Sequence, residues 1–89
     1  MDFGYNWFVY LVRCRDGSYY CGLTTDVSGR LTQHNSGKGS RYTSIRYPVK
    51  LLWTREFGLE TDARAFEHKI KKWGRDKKEK LIWGLIYNE

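Results

Sequence analysis

Cysteine and histidine are scarce: Cys14, Cys21, His34 and His68 are all the chain contains of either. That is too little to suggest a structural zinc site or a disulfide framework, so the expectation is a reducing, intracellular and cytoplasmic setting. Long apolar runs are missing as well. None approaches the roughly 18 residues a bilayer span requires, and residues 1–6 carry an acid and no base. The sequence therefore predicts neither a signal peptide nor a membrane helix. Acidic side chains are outnumbered, ten against sixteen Lys and Arg, which leaves a net charge of +6. Length is limiting too, because 89 residues hold one domain and leave no room for a separate cofactor domain.

What the chain has in quantity is aromatic surface. Four Trp, seven Tyr and four Phe, within a hydrophobic fraction of 40%, suit a packed core and not a disordered tail. A chain of this size buries only about 60% of the surface it exposes when unfolded, so each large apolar residue counts. The basic excess is clustered, with seven Lys and Arg between Lys69 and Lys80. Such a run is either a solvated helix face or a surface for a polyanion, and a nucleic acid or an anionic membrane would fit. The membrane reading is disfavoured, since Phe66, Ile70 and Trp73 in the same segment are needed for the core.

Residues 7–87 read as one domain after a short flank, 1–6. From Trp7 to Cys14, WFVYLVRC is β-branched and aromatic, and a second such run, SYYCGLT, follows Arg15-Asp16-Gly17. The pair reads as a β-hairpin. Thr25 or Asp26 supplies a helix N-cap, and Val27, Leu31 and His34 recur at helical spacing until Asn35-Ser36-Gly37. Gly29, inside that helix, costs about 1 kcal/mol against Ala. The segment from Gly37 to Thr43, GKGSRYT, is basic, glycine-rich and aperiodic. It predicts a mobile loop with the composition of a phosphate contact, without the order and spacing of a nucleotide-binding Walker loop. Pro48 opens a third strand, Val49 to Phe57. Thr61 then caps a helix with Ala63, Phe66, Ile70 and Trp73 on one face, and Gly74 ends it. Asp76 with Glu79 resembles a capping box for a last helix whose Leu81, Ile82, Leu85 and Ile86 point inward. The order is β-β-α-β-α-α, without internal repeats.

Taken together, VYL, YCG, Arg30 and His34 resemble the GIY-YIG nuclease family, with Tyr10 and Tyr20 as its two name-giving tyrosines. The stretch VYLVRCRDGSYYCGLTTDVSGRLTQHNSGKGSRYT is similar along its length to the small stand-alone members. Glu67 in AFEHKIKKW matches in context the family's metal-binding helical glutamate. Phe8 stands where the first motif has glycine, and Cys21 where the second has isoleucine. The resemblance runs from Phe8 to Leu85. It implies an α/β (α+β) fold, a three-stranded, mainly antiparallel sheet flanked by helices. It also implies a DNA endonuclease, a phosphodiester hydrolase dependent on a divalent metal, Mg²⁺ or Mn²⁺.

Phosphodiester hydrolysis needs a base for water, cations for the charge on the transition state, and stabilisation of the leaving oxygen. Tyr10 and Tyr20 are the candidates for base and for phosphate or water contact, in either order. A phenol with its ordinary pKa of about 10 is almost wholly protonated at neutral pH, so Arg30, Lys38 or a metal would have to lower it. Arg30 suits a phosphate clamp, because its planar fork holds two oxygens. His34, one helical turn on, would assist as a site residue, though a satisfied, half-buried histidine is the competing reading. Glu67 would be the single carboxylate on a metal that keeps several waters; otherwise it forms an exposed pair with Lys71. Lys38, Arg41 and Tyr42 in the loop, with Lys69, Lys72, Lys77 and Lys78, would meet the nucleic-acid backbone. Nothing in the sequence reads bases, so selectivity for branched or nicked DNA, a role in repair or recombination, and a separate targeting partner are expected. The alternative is a catalytically weak module that binds DNA or RNA through the same basic surface.

The turn offers a test that needs no relative. A two-residue turn at Asp16-Gly17 would put Tyr10 and Tyr20 on opposite faces of the sheet. A three-residue loop with Gly17 left-handed makes Cys14 oppose Ser18 and puts both tyrosines on one face. The three-residue register is predicted, and with it Cys14 and Cys21 on opposite faces and unable to form a disulfide.

Overall fold

A computed structural model describes residues 6–84. Strands β1 (Trp7–Arg13) and β2 (Tyr19–Thr24) are followed by helix α1 (Val27–Asn35), a 3₁₀ turn at Thr43–Ile45, strand β3 (Lys50–Phe57) and helices α2 (Glu60–Lys71) and α3 (Arg75–Ile82). The sheet is antiparallel throughout, in the order β2-β1-β3. The order of elements is the one expected.

The hairpin register follows from its turn. Cys14 N–H donates to Ser18 O at 2.8 Å, and Gly17 adopts φ 86°. Asp16 braces the loop by accepting from Ser18 N–H at 3.0 Å. Tyr10 then faces Gly22, and Val12 faces Tyr20, so both tyrosines lie on one side of the sheet. The opposite side takes Val9, Leu11 and Cys21, which bury against Ala63, Phe66, Ile70 and Leu81 of α2 and α3. Tyr10, Val12 and Cys14 form a second cluster with Val49, Tyr20 and Leu31 beneath α1. Cys14 and Cys21 are accordingly free and buried on different faces.

α1 starts where Asp26 caps it, accepting from Gly29 N–H at 3.1 Å, which decides between the two cap candidates. The other two helix starts differ from expectation. α2 is preceded by Leu59 in extended conformation, with no side-chain cap, and Thr61 lies within its first turn. Glu60 and Asp62 supply negative charge there instead. α3 begins after Gly74, and Asp76 is already helical. Glu79 is not a capping residue: it accepts from the Tyr19 hydroxyl at 2.8 Å and from Arg75 at 3.2 Å. Arg75 also lies 4.1 Å over the Tyr19 ring and donates to Gly17 O at 2.9 Å, fastening α3 to the hairpin. Trp73 falls after α2 and packs on the core from there. Leu81 is buried as expected, while Leu85 and Ile86 lie outside the described residues.

The glycine-rich loop is also tied down, contrary to the expectation of a mobile segment. Thr43 is fully buried, its N–H donates to Ser40 Oγ at 3.1 Å, and its hydroxyl accepts from Ser40 N–H at 3.2 Å. Arg46 joins the loop to the hairpin, reaching Asp16 at 3.1 Å and Tyr42 O at 2.8 Å. The Ser40–Thr43 and Arg46–Tyr42 contacts are local, whereas the Arg46–Asp16 contact is tertiary and local composition does not announce it.

Candidate active site

Two glycines make room for the central pair of side chains. A Cβ on Gly22 would lie 2.3 Å from the Tyr10 hydroxyl, and one on Gly39 would lie 2.1 Å from His34 Nδ1. Tyr10 and His34 fill the space these residues leave open, at 1% and 0% exposure. The Tyr10 hydroxyl sits 2.8 Å from His34 Nε2, and His34 Nδ1 sits 2.6 Å from Thr43 Oγ1. His34 thus takes part in a buried chain running from β1 through α1 to the loop, and is not a half-buried surface residue.

Tyr20, on the edge strand β2, closes the group. Its ring centroid lies 6.5 Å from that of Tyr10 and 5.4 Å from that of His34. Tyr42, which is exposed, stacks on it from the loop at 5.9 Å and 18°, and the Arg46 guanidinium lies 3.9 Å from the Tyr42 ring centroid.

Charge acts on the pair in opposing ways. Burial pushes the Tyr10 phenol well above its ordinary value, and the nearby Arg30 only partly offsets this. The cation expected to lower this phenol is present but loses to desolvation. Burial lowers the pKa of His34, and Arg30 lowers it further. The imidazole is thereby held neutral near pH 7.

Glu67 projects from α2 near the edge where β2 ends the sheet. It is 7% exposed and pairs with Lys71 at 3.2 Å, so the pair is only half the exposed one anticipated, with Lys71 in solvent and the carboxylate buried. Its charge is felt by Tyr10 and by Cys21, whose thiol burial and Glu67 push up to about 12. Among the described residues there is no group of three or more His, Cys, Asp or Glu that could hold a metal. A single shielded carboxylate beside a tyrosine cluster is compatible with a hard cation that keeps most of its waters.

Beside Tyr20 lies a cleft of about 280 Å³ lined by Tyr19, Tyr20, Cys21, Tyr42, Lys71 and Lys78. Two larger hollows, on the outer sides of α2 and α3, include none of the clustered residues. The cleft sorts the basic run. Lys71 and Lys78 border the tyrosines, whereas Lys69 lies over Phe66 at 5.9 Å and Lys77 over Trp73 at 4.5 Å. Lys72 is exposed at the end of α2, and Lys38 and Arg41 are exposed on the loop. Lys71 was passed over in the sequence as a mere partner of Glu67. Thr43 was passed over entirely, and its only signal was its place in the run after His34.

The family model described as the GIY-YIG catalytic domain matches residues 6–80. The chain belongs to the GIY-YIG family. Membership implies nuclease chemistry, a hydrolase activity. The GIY-YIG domain here is 45% identical over 75 residues to a UPF0213 protein of Streptococcus pneumoniae, spanning 84% of this chain and 76% of that one. It is 43% identical over 75 residues to the UPF0213 protein SSP2268 of Staphylococcus saprophyticus, spanning 84% and 92%. Among solved structures it is similar to the UPF0213 protein BH0048 of Bacillus halodurans, with 44% identity, coverage of 86% and 82%, and a TM-score of 0.57. It is also similar to EF2693 of E. faecalis, with 34% identity, coverage of 100% and 97%, and a TM-score of 0.64. The two departures from the GIY-YIG motif are structurally mild. Phe8 pairs with Thr24, and Cys21 joins the apolar cluster on the side away from the tyrosines.

Proposed function

We propose that residues 7–87 act as a metal-dependent endonuclease domain that hydrolyses DNA phosphodiesters, inside the cell, with selectivity for branched or nicked substrates. The observation that carries this reading is the buried contact of 2.8 Å between the Tyr10 hydroxyl and His34 Nε2, with Tyr20 beside both. A phenol whose proton is held this firmly is a poor base alone. As a relay it works. The Tyr10 oxygen takes a proton from the attacking water while its own proton passes to His34 Nε2. The hydroxide forms a bond to phosphorus, and the bond from phosphorus to the leaving oxygen breaks. The leaving oxygen takes a proton from solvent, and the imidazolium later returns one. No phenolate accumulates, so burial of Tyr10 does not oppose the step.

Arg30 would hold phosphate oxygens, and Tyr20 would donate to the phosphate from the edge of the cluster. Glu67 would carry Mg²⁺ or Mn²⁺, which when bound stabilises charge on the leaving oxygen. Lys71 and Lys78, with Lys38 and Arg41, would hold the backbone on either side. The absence of a base-reading element in the described residues accords with recognition of DNA shape, and a repair or recombination role with a separate targeting partner fits that chemistry.

The test is a nicking assay on supercoiled and branched DNA with Mg²⁺ or Mn²⁺, comparing native protein with Tyr20→Phe and Glu67→Gln. Cutting should fall by about 10² or more in each variant while DNA binding persists. Undetectable cutting by the native protein, with binding retained, would favour the weak nucleic-acid-binding module.

A further inference from the structure

Thr43 has no place in the nuclease chemistry above, yet it is fully buried and its hydroxyl lies 2.6 Å from the site histidine. The protons along this chain can be arranged in two ways. In one, the Thr43 hydroxyl donates to His34 Nδ1, which puts the ring proton on Nε2, facing Tyr10. The phenol proton of Tyr10, a residue 1% exposed, then has no protein acceptor, because Nε2 is the only partner its hydroxyl has among the described residues. In the other, Nδ1–H donates to Thr43 Oγ1, the Thr43 hydroxyl donates to Ser40 Oγ at 3.0 Å, and Tyr10 donates to Nε2. Every buried proton then has an acceptor, and the Thr43 oxygen accepts only from Nδ1–H and Ser40 N–H, within its two lone pairs. An unpaired buried donor is the costlier outcome.

Nδ1 has Thr43 Oγ1 at 2.6 Å as its partner within a ring that has no exposure. We propose that Thr43 is a positioning residue that keeps the His34 proton on Nδ1, so that the Nε2 lone pair faces the Tyr10 hydroxyl. The glycine-rich loop is then the support of the proton path as well as a strand contact. Ser40 orients Thr43, Thr43 orients His34, and His34 receives from Tyr10. The catalytic consequence rests on the relay proposed above, but the tautomer does not.

The imidazole ¹⁵N NMR spectrum of the full chain tests the assignment. Native protein should show His34 with Nδ1 protonated and Nε2 bare. Thr43→Val, which keeps the shape and removes the hydroxyl, should shift the tautomer ratio toward Nε2–H, on the order of tenfold. Thr43→Ser should restore the native spectrum. If the protein cuts DNA, Thr43→Val should slow cutting about tenfold or more, and Thr43→Ser should recover it. A native ring protonated at Nε2, or a tautomer unmoved in a folded Thr43→Val protein, would overturn the proposal even for an active nuclease. The native spectrum decides alone if Thr43→Val does not fold. The predicted spectra with no cutting by native protein would uphold the Thr43 assignment and remove the nuclease reading.

Discussion

His34 is a core residue whose proposed chemistry depends on its burial. Its ring has no exposure, yet both nitrogens are bonded, as a buried polar group must be. Its folded pKa lies below the unfolded value of about 6.5. The unfolded chain therefore binds more protons in the intervening range, and stability rises with pH there. His34 thus contributes stability that is present above about pH 6.5 and lost as the pH falls toward its folded pKa. Thermal midpoints should drop on acidification from about pH 7 to pH 5, and His34→Gln should flatten that slope. By the same argument the acid limb of any cutting activity should fall below about pH 6.5, because only the neutral ring accepts a proton. Tyr10 carries the opposite sign. Its raised phenol keeps the folded state favoured until the pH passes about 10.

At the scale of elements, the hairpin was the part most legible beforehand. Two tyrosines ten positions apart share a face only under one turn length, and Gly17 was the residue able to supply it. A Cβ on Gly17 meets nothing within 4 Å, so the cost of filling the position lies in its φ of 86°. Gly17→Ala should lower stability by about 1–2 kcal/mol in urea unfolding, and Gly17→Asn by less. The helix starts were less legible, because Leu59 and Gly74 begin α2 and α3 by backbone conformation and not by a capping side chain. Thr61 and Asp76 had the right chemistry two residues too late. The loop from Gly37 to Thr43 was least legible. Its order comes from the buried His34–Thr43 contact and from Tyr20, which stacks on Tyr42 from a distant strand, and glycine content reports freedom only where nothing else packs against the chain.

At the scale of the whole molecule, a charge of +6 says that a polyanion is a fitting partner but not where it lies. Lys71 and Lys78 line the cleft beside Tyr20, while Lys69 and Lys77 lie over aromatic rings elsewhere. Sequence alone could not divide the basic run, since the division depends on which helix side meets the edge strand. DNA affinity measured against salt should have a log–log slope that falls by about one for each of Lys71→Ala and Lys78→Ala. Lys77→Ala should change it little.

Because β1 is the middle strand, one backbone separates two layers with different demands. Val9 and Leu11 serve the apolar layer, and Tyr10 and Val12 serve the other. Point changes and length changes along this strand therefore cause different kinds of failure. Tyr10→Phe removes one hydroxyl and leaves the apolar layer in place. Adding or removing one residue within Trp7–Arg13 shifts the strand on one side of the change by one, sending residues from one layer into the other unless a bulge like that at Leu11–Val12 absorbs it. The expected signature of such a lesion in a cell is therefore lowered protein level, where Tyr10→Phe leaves the level unchanged.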